Sequence, residues 1–190
     1  MNLFAVRYDD LSLRIYDKQF MIEQITELKN SWMASHITDA EFPTPLSEKG
    51  LNLYQSRLKQ LSTQFLSTIP SNSDSELTYY RVDCHPLTIR FSMVLASQWE
   101  DENEKEAVFE YLTQIMFEDD SPAHLYVGFH KGKPAACGMI YLQETEQGLC
   151  TLVSDVMALP LPNKANLMQM MENHLLALAD QDSQFFVTQK

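Results

Sequence analysis

The chain has 190 residues, of which 45% are hydrophobic and 21% charged, proportions of an ordinary globular protein rather than of a disordered or repetitive chain. Its 14 Lys and Arg against 26 Asp and Glu leave a formal charge of -12, and with no local basic cluster this argues against a sequence-independent grip on nucleic-acid phosphates. No window approaches the roughly 18 uninterrupted apolar residues of a membrane span, and Cys84, Cys137 and Cys150 are too few and too scattered for a disulfide framework or paired zinc ligands.

The first elements read as a β-hairpin. Residues 3–8 and 11–16 are rich in apolar and β-forming residues, and Asp9-Asp10 separates them as a two-residue turn. Asp17 then caps a helix over 17–36, with Met21, Ile25, Leu28 and Trp32 on one face. Residues 38–45 hold two prolines and read as a loop. Pro45 suits a first helical turn, and Leu51, Tyr54, Leu58, Leu61 and Phe65 recur at steps of three and four, which predicts an amphipathic helix to residue 65 or 66. The stretch 70–75, Pro-Ser-Asn-Ser-Asp-Ser, is the clearest linker, so a division is expected between an N-terminal segment, 1–75, and a main domain, 76–190.

In the main domain, 77–83 reads as a strand, 86–99 as a helix and 104–117 as a second helix, with Val108, Tyr111, Leu112 and Ile115 on its buried stripe. Three strand-like runs follow at 124–130, 135–143 and 149–159, then Pro160 and Pro162, a Met- and Leu-rich helix over 163–179 and a last strand over 184–188. From residue 77 the order is β-α-α-β-β-β-α-β. Four of the five glycines, Gly128, Gly132, Gly138 and Gly148, fall in this meander, and none follows position 148. Residues 76–120 hold 3 basic and 11 acidic residues, a solvated face or a surface for a cationic partner.

This order, with the hairpin phrase Leu125-Tyr126-Val127-Gly128-Phe129-His130-Lys131-Gly132-Lys133-Pro134-Ala135-Ala136-Cys137-Gly138-Met139-Ile140-Tyr141-Leu142, resembles the GCN5-related N-acetyltransferase (GNAT) family over residues 77–190. The resemblance implies an α/β (α+β) fold with a mixed, mostly antiparallel sheet flanked by helices. It further implies an acyl-CoA-dependent N-acetyltransferase that takes acetyl-CoA or another acyl-CoA and a small-molecule or peptide amine. The family's long central strand corresponds to 151–160 and splays from the next strand, here 185–187. The cofactor's pantetheine arm pairs with the exposed backbone as an added strand, and its pyrophosphate sits on free N–H groups at the following helix.

By that correspondence the cofactor-binding residues are Met157, Leu159, Asn163, Lys164, Ala165, Asn166, Leu167 and Met168. Where the family's loop carries small residues, this chain has Asn166 and Met168 and no glycine. The family's general base lies near the bulge of the central strand. Asp155, the only acid on this strand, stands there and is the catalytic candidate, since a buried strand carboxylate requires a partner. The family's further strands and its tyrosine acid have no counterpart after residue 188, and the hairpin at 3–16 is expected to complete the sheet in their place. A second reading stands beside the enzyme: a catalytically lapsed GNAT-fold binding or regulatory protein, arranged as a homodimer through the N-terminal helices. A cytoplasmic location, no nucleic acid and no membrane complete the expectation.

Other residue pairs carry less. Cys84-His85 are adjacent and would point apart on a strand. His124 and His130 lack a third ligand in sequence, so no metal site is expected. Tyr126, Tyr141 and His174 read as packing residues.

Overall fold

The computed structural model describes residues 6–66, 75–116, 120–146, 148–179, 183 and 185–190, with the backbone alone for residues 6–17. The expected linker at 70–75 lies almost wholly outside the described residues, as do residues 3–5.

The described residues open with a single long helix, α1 (Val6–Thr38), where a hairpin was expected at 3–16. Asp9-Asp10 offers no glycine for the left-handed angles that a tight hairpin turn requires. The first proline is Pro43 and the first glycine Gly50, so nothing interrupts a helix that extends backward from the apolar stripe at 21–37. That stripe runs Met21, Ile25, Lys29, Met33 and Ile37, all buried, every fourth residue and therefore one above another on a single face.

Helix α2 (Pro45–Leu58) is capped by Thr44, whose hydroxyl accepts from the Ser47 N–H at 3.1 Å. It ends seven residues before the expected stop, and Thr63–Phe65 turns into an edge strand, β1. β1 runs antiparallel to the last strand with Thr63 opposite Gln189 and Phe65 opposite Val187. Phe65 meets Phe185 edge-on with ring centroids 6.5 Å apart. The N-terminal segment thus adds an edge strand to the sheet, through residues 63–65, while residues 6–16 of the expected hairpin are helical.

Next come β2 (Leu77–Arg81), α3 (His85–Ala96), α4 (Glu102–Thr113), β3 (Ala123–His130), β4 (Lys133–Thr145), β5 (Gly148–Ala158), α5 (Lys164–Ala179) and β6 (Phe185–Gln189), the order expected from residue 77 onward. Asp101 caps α4 by accepting from the N–H groups of Asn103 and Glu104. The sheet order is β1-β6-β5-β4-β3-β2, and every pair is antiparallel except β5–β6.

Strand alternation sends side chains to two faces. On one, Leu125, Val127, Met139, Tyr141 and Leu152 join Ile25, Met33, Tyr54, Phe91, Val108 and Tyr111 in a core beneath α1 to α4, so residues on both sides of the 75/76 division share one core. On the other, Ala136, Ile140 and Val153 pack against Leu167, Met171, Leu175 and Leu176 of α5. Gly138 makes room for that helix, because a Cβ there would lie 2.6 Å from Leu175 Cδ1.

Candidate functional site

The parallel pair β5–β6 is registered only from Cys150 opposite Phe185 to Val153 opposite Thr188. Beyond that point the strands part, because β5 carries a bulge. Its pairing with β4 slips by one residue between Cys137 and Met139, and Asp155 adopts φ +55°, a left-handed conformation that Asp tolerates better than most residues. The extra residue switches the faces: Leu152 and Met157 both reach the core beneath α1 to α4, although they lie an odd number of positions apart.

Between the parted strands lies a cleft of about 360 Å³, within the range of small-molecule sites. Val153, Asp155, Val156 and Met157 of β5 form one wall, and Gln189 and Lys190 at the end of β6 the other. Tyr54, Arg57 and Leu58 of α2, Leu61 after it, Leu95 of α3, Gln98 after it, and Ala165, Met168, Gln169 and Glu172 of α5 complete the lining. On this side the β5 backbone past Val153 has no strand partner among the described residues.

At the floor of the cleft is a buried ion pair. Lys29, with no exposed surface, places Nζ 3.1 Å from Asp155 Oδ2. Its ammonium also donates to Tyr54 Oη at 2.8 Å and to Gln189 Oε1 at 3.2 Å, so all three of its donors are used. Tyr54 donates to Asp155 Oδ1 at 2.8 Å, and Ser154 Oγ donates to Oδ2 at 2.8 Å. The Asp155 carbonyl accepts from Cys137 Sγ at 3.7 Å. One cluster therefore ties α1, α2, β5 and β6 together at the splay.

Burial pushes the Lys29 ammonium below its ordinary value, and the neighbouring Asp155 charge opposes that shift. Burial also holds the Tyr54 phenol well above its usual value, with Asp155 and Tyr111 adding to the effect, so Tyr54 stays protonated. The Cys137 thiol is likewise pushed well up by burial and remains a neutral core group.

The residues expected to hold a cofactor are divided by the fold. Met157, Ala165 and Met168 line the cleft. Leu167 points into the core under α5, and Leu159 extends the β4–β5 pairing, on the side away from the open edge, by donating its N–H to the Ala135 carbonyl at 2.9 Å. Asn163 accepts from the Leu167 N–H at 3.0 Å, and the Lys164 N–H goes to the Leu161 carbonyl at 3.0 Å. Asn166 is exposed. The N–H groups of Ala165 and Asn166 find no acceptor among the described residues, as first-turn donors do until a ligand or water meets them. Open strand edge, apolar lining and these donors fit an acyl-CoA.

Lys29, Tyr54, Arg57 and Gln189 escaped the sequence reading as site residues. Lys29 had a legible signal, a charged residue on an otherwise apolar i, i+4 stripe. Elsewhere, Cys84 is the exposed N-terminal residue flanking α3, His130 faces Glu76 at 3.7 Å, and His174 stacks on Tyr79 at 3.7 Å. Among the described residues no helix is long and apolar enough to cross a membrane.

No protein-family model matches the sequence, and no curated protein does. Among solved structures, a GCN5-related N-acetyltransferase from Kribbella flavida aligns at 10% identity and TM-score 0.46, over 68% of this chain and 47% of that one. An integron cassette protein from Vibrio cholerae aligns at 14% and 0.45, over 58% and 72%. Glucosamine-6-phosphate N-acetyltransferase from Arabidopsis thaliana aligns at 14% and 0.40, over 55% and 76%. The chain spans about half the length of the first of these. The architecture itself, a six-stranded mixed sheet flanked by helices with a splayed parallel pair and a bulge at the splay, is a GNAT-like fold.

Proposed function

We propose that the protein is an acyl-CoA-dependent N-acyltransferase acting on an amine, with the thioester's pantetheine arm laid along the open edge of β5. The observation that carries this reading is the parting of β5 and β6 after Val153 and Thr188, which leaves backbone groups facing an apolar cleft of ligand size. An extended ligand satisfies such an edge as an added strand would. Met157 and Met168 would flank it, and the free N–H groups of Ala165 and Asn166 would meet its pyrophosphate.

When bound, acyl-CoA supplies the activated acyl group and a thiolate as leaving group. Tyr54 is the proton donor to the departing sulfur, its O–H turning from Asp155 Oδ1 toward the cleft that it lines, and burial keeps that hydroxyl protonated until then. Lys29, 2.8 Å behind it, restores that proton, and the proton released by the acceptor nitrogen refills the cluster. Asp155, with both carboxylate oxygens engaged, positions Lys29 and Tyr54, and its effect on the transferred proton passes through them. Tyr54 on α2 would take the part that the family's tyrosine acid plays.

Full engagement of Asp155 also favours a second reading, a thioester-binding protein without turnover, because a carboxylate held by three donors is a poor acceptor for a further proton. Two measurements separate these. Calorimetry and thermal shift with CoA, acetyl-CoA and longer acyl-CoAs test binding, for which ligand at 100 times Kd raises stability by about 2.7 kcal/mol. Release of free thiol in the presence of amines tests turnover. No stabilisation by any thioester rejects both readings, whereas binding without amine-dependent thiol release leaves the second.

A further inference from the structure

Four charged side chains line the cleft: Arg57, Asp155, Glu172 and Lys190. Three already have partners. Asp155 is paired with Lys29 at 3.1 Å, and Glu172 with Lys190 at 2.8 Å. Arg57 faces no carboxylate and makes no side-chain hydrogen bond among the described residues. Its guanidinium lies over the Trp99 ring, 6.0 Å from the centroid. This cation–π contact uses none of the guanidinium's N–H groups and leaves those donors available. A half-buried guanidinium at a largely apolar cleft, with no acid beside it among the described residues, suits an oxyanion through paired N–H donors.

From this we infer that Arg57 recognises an anionic group, a carboxylate or phosphate, on an otherwise apolar acceptor substrate. The inference rests on the reading of the cleft as an acyl-transfer site, and it names the substrate class that the site takes. Its position favours the acceptor over the cofactor's own phosphates. Arg57 follows Tyr54 by three residues on the same face of α2, about 4.5 Å along the helix axis, and Tyr54 touches the Asp155 bulge. The anion therefore binds one helical turn from the point where sulfur and nitrogen would exchange the acyl group. The phosphates of a CoA lie a full pantetheine arm away from that point. An anionic acceptor also reverses what the acidic segment at 76–120 suggests: the unpaired charge in the cleft is a cation, although the chain as a whole carries -12.

The test uses the full chain and benzoate as an apolar carboxylate probe, with benzamide as its neutral isostere, titrated calorimetrically with and without CoA. Benzoate is expected to bind at least about tenfold more tightly than benzamide, a difference of ~1.4 kcal/mol. Arg57→Gln should abolish the difference, while Arg57→Lys, which keeps the charge but loses the fork, should retain part of it. Melting temperatures of both variants confirm folding. Equal binding of the two probes to the parent chain, no binding of either, or an unchanged preference in Arg57→Gln overturns the inference. A loss of CoA affinity in Arg57→Gln that disappears with dephospho-CoA also overturns it, by assigning the guanidinium to the cofactor. Failure of every thioester to bind, with the benzoate preference intact, rejects the acyl-transfer reading and leaves the anion site standing.

Discussion

Replacing Lys29 with methionine removes the ammonium from the floor of the cleft while keeping most of its volume. Three donors vanish together, those to Asp155, Tyr54 and Gln189, and the Asp155 carboxylate, 5% exposed, stays buried without a counter-charge. Breaking a buried pair on one side costs about 3–5 kcal/mol. That is a large share of the about 5–15 kcal/mol that stabilises a typical domain. For a chain of this size each kcal/mol moves Tm by roughly 2–4 °C, so a fall of about 6–20 °C is expected. Asp155→Asn is the partner variant, because Asn also accepts the left-handed angles at the bulge. Urea denaturation of both single variants and the double should show a coupling of about 2–3 kcal/mol, the double being less harmful than the sum. Additivity within about 0.5 kcal/mol, or a loss below about 1 kcal/mol for Lys29→Met, would refute the claim that this pair holds the N-terminal helix to the bulge.

Gly138→Ala should cost about 1–3 kcal/mol by overpacking, since its Cβ would fall 2.6 Å from Leu175 Cδ1 beneath α5; chemical denaturation checks this. Tyr54→Phe leaves Lys29 short of an acceptor and Asp155 short of a donor, a loss of about 1–3 kcal/mol. It should also slow amine-dependent thiol release by about a hundredfold or more with CoA affinity unchanged. Burial lowers His36, His124 and His174 below their ordinary value of 6.5, so below that pH the unfolded chain binds more protons than the folded one. Stability present above pH 6.5 is therefore lost as acid is added down through the folded values. His174→Phe, which keeps the stack on Tyr79, should flatten the fall of Tm between about pH 7.5 and pH 5; an unchanged slope contradicts the assignment.

Where one local pattern decided an element, the sequence was readable. The glycines and alternating apolar residues of 123–158 marked the meander, and the stripe through Val108, Tyr111 and Leu112 marked α4. The misreadings arose where two periods overlapped. Residues 3–16 alternate well enough for strands, but a helix without a proline or glycine to stop it runs through 6–16. Leu61 and Phe65 continue the spacing of α2, which hid the strand at 63–65, whose formation depends on the remote edge of β6. Asp155 was legible as the lone acid of its strand. Its partners were not, because Lys29 and Tyr54 come from two helices more than a hundred residues earlier, and only the tertiary fold brings them to the bulge. The cleft itself is a property of strand parting, which no single segment encodes.

The central claim is that the open edge of β5 takes an extended thioester ligand. Backbone amide hydrogen exchange with and without saturating CoA tests it most directly. The account predicts slowed exchange at residues 154–157 and at Ala165 and Asn166, with Asp155 at the centre of the protected segment. Saturating CoA that leaves these amides unchanged, or protects a different surface, would contradict it.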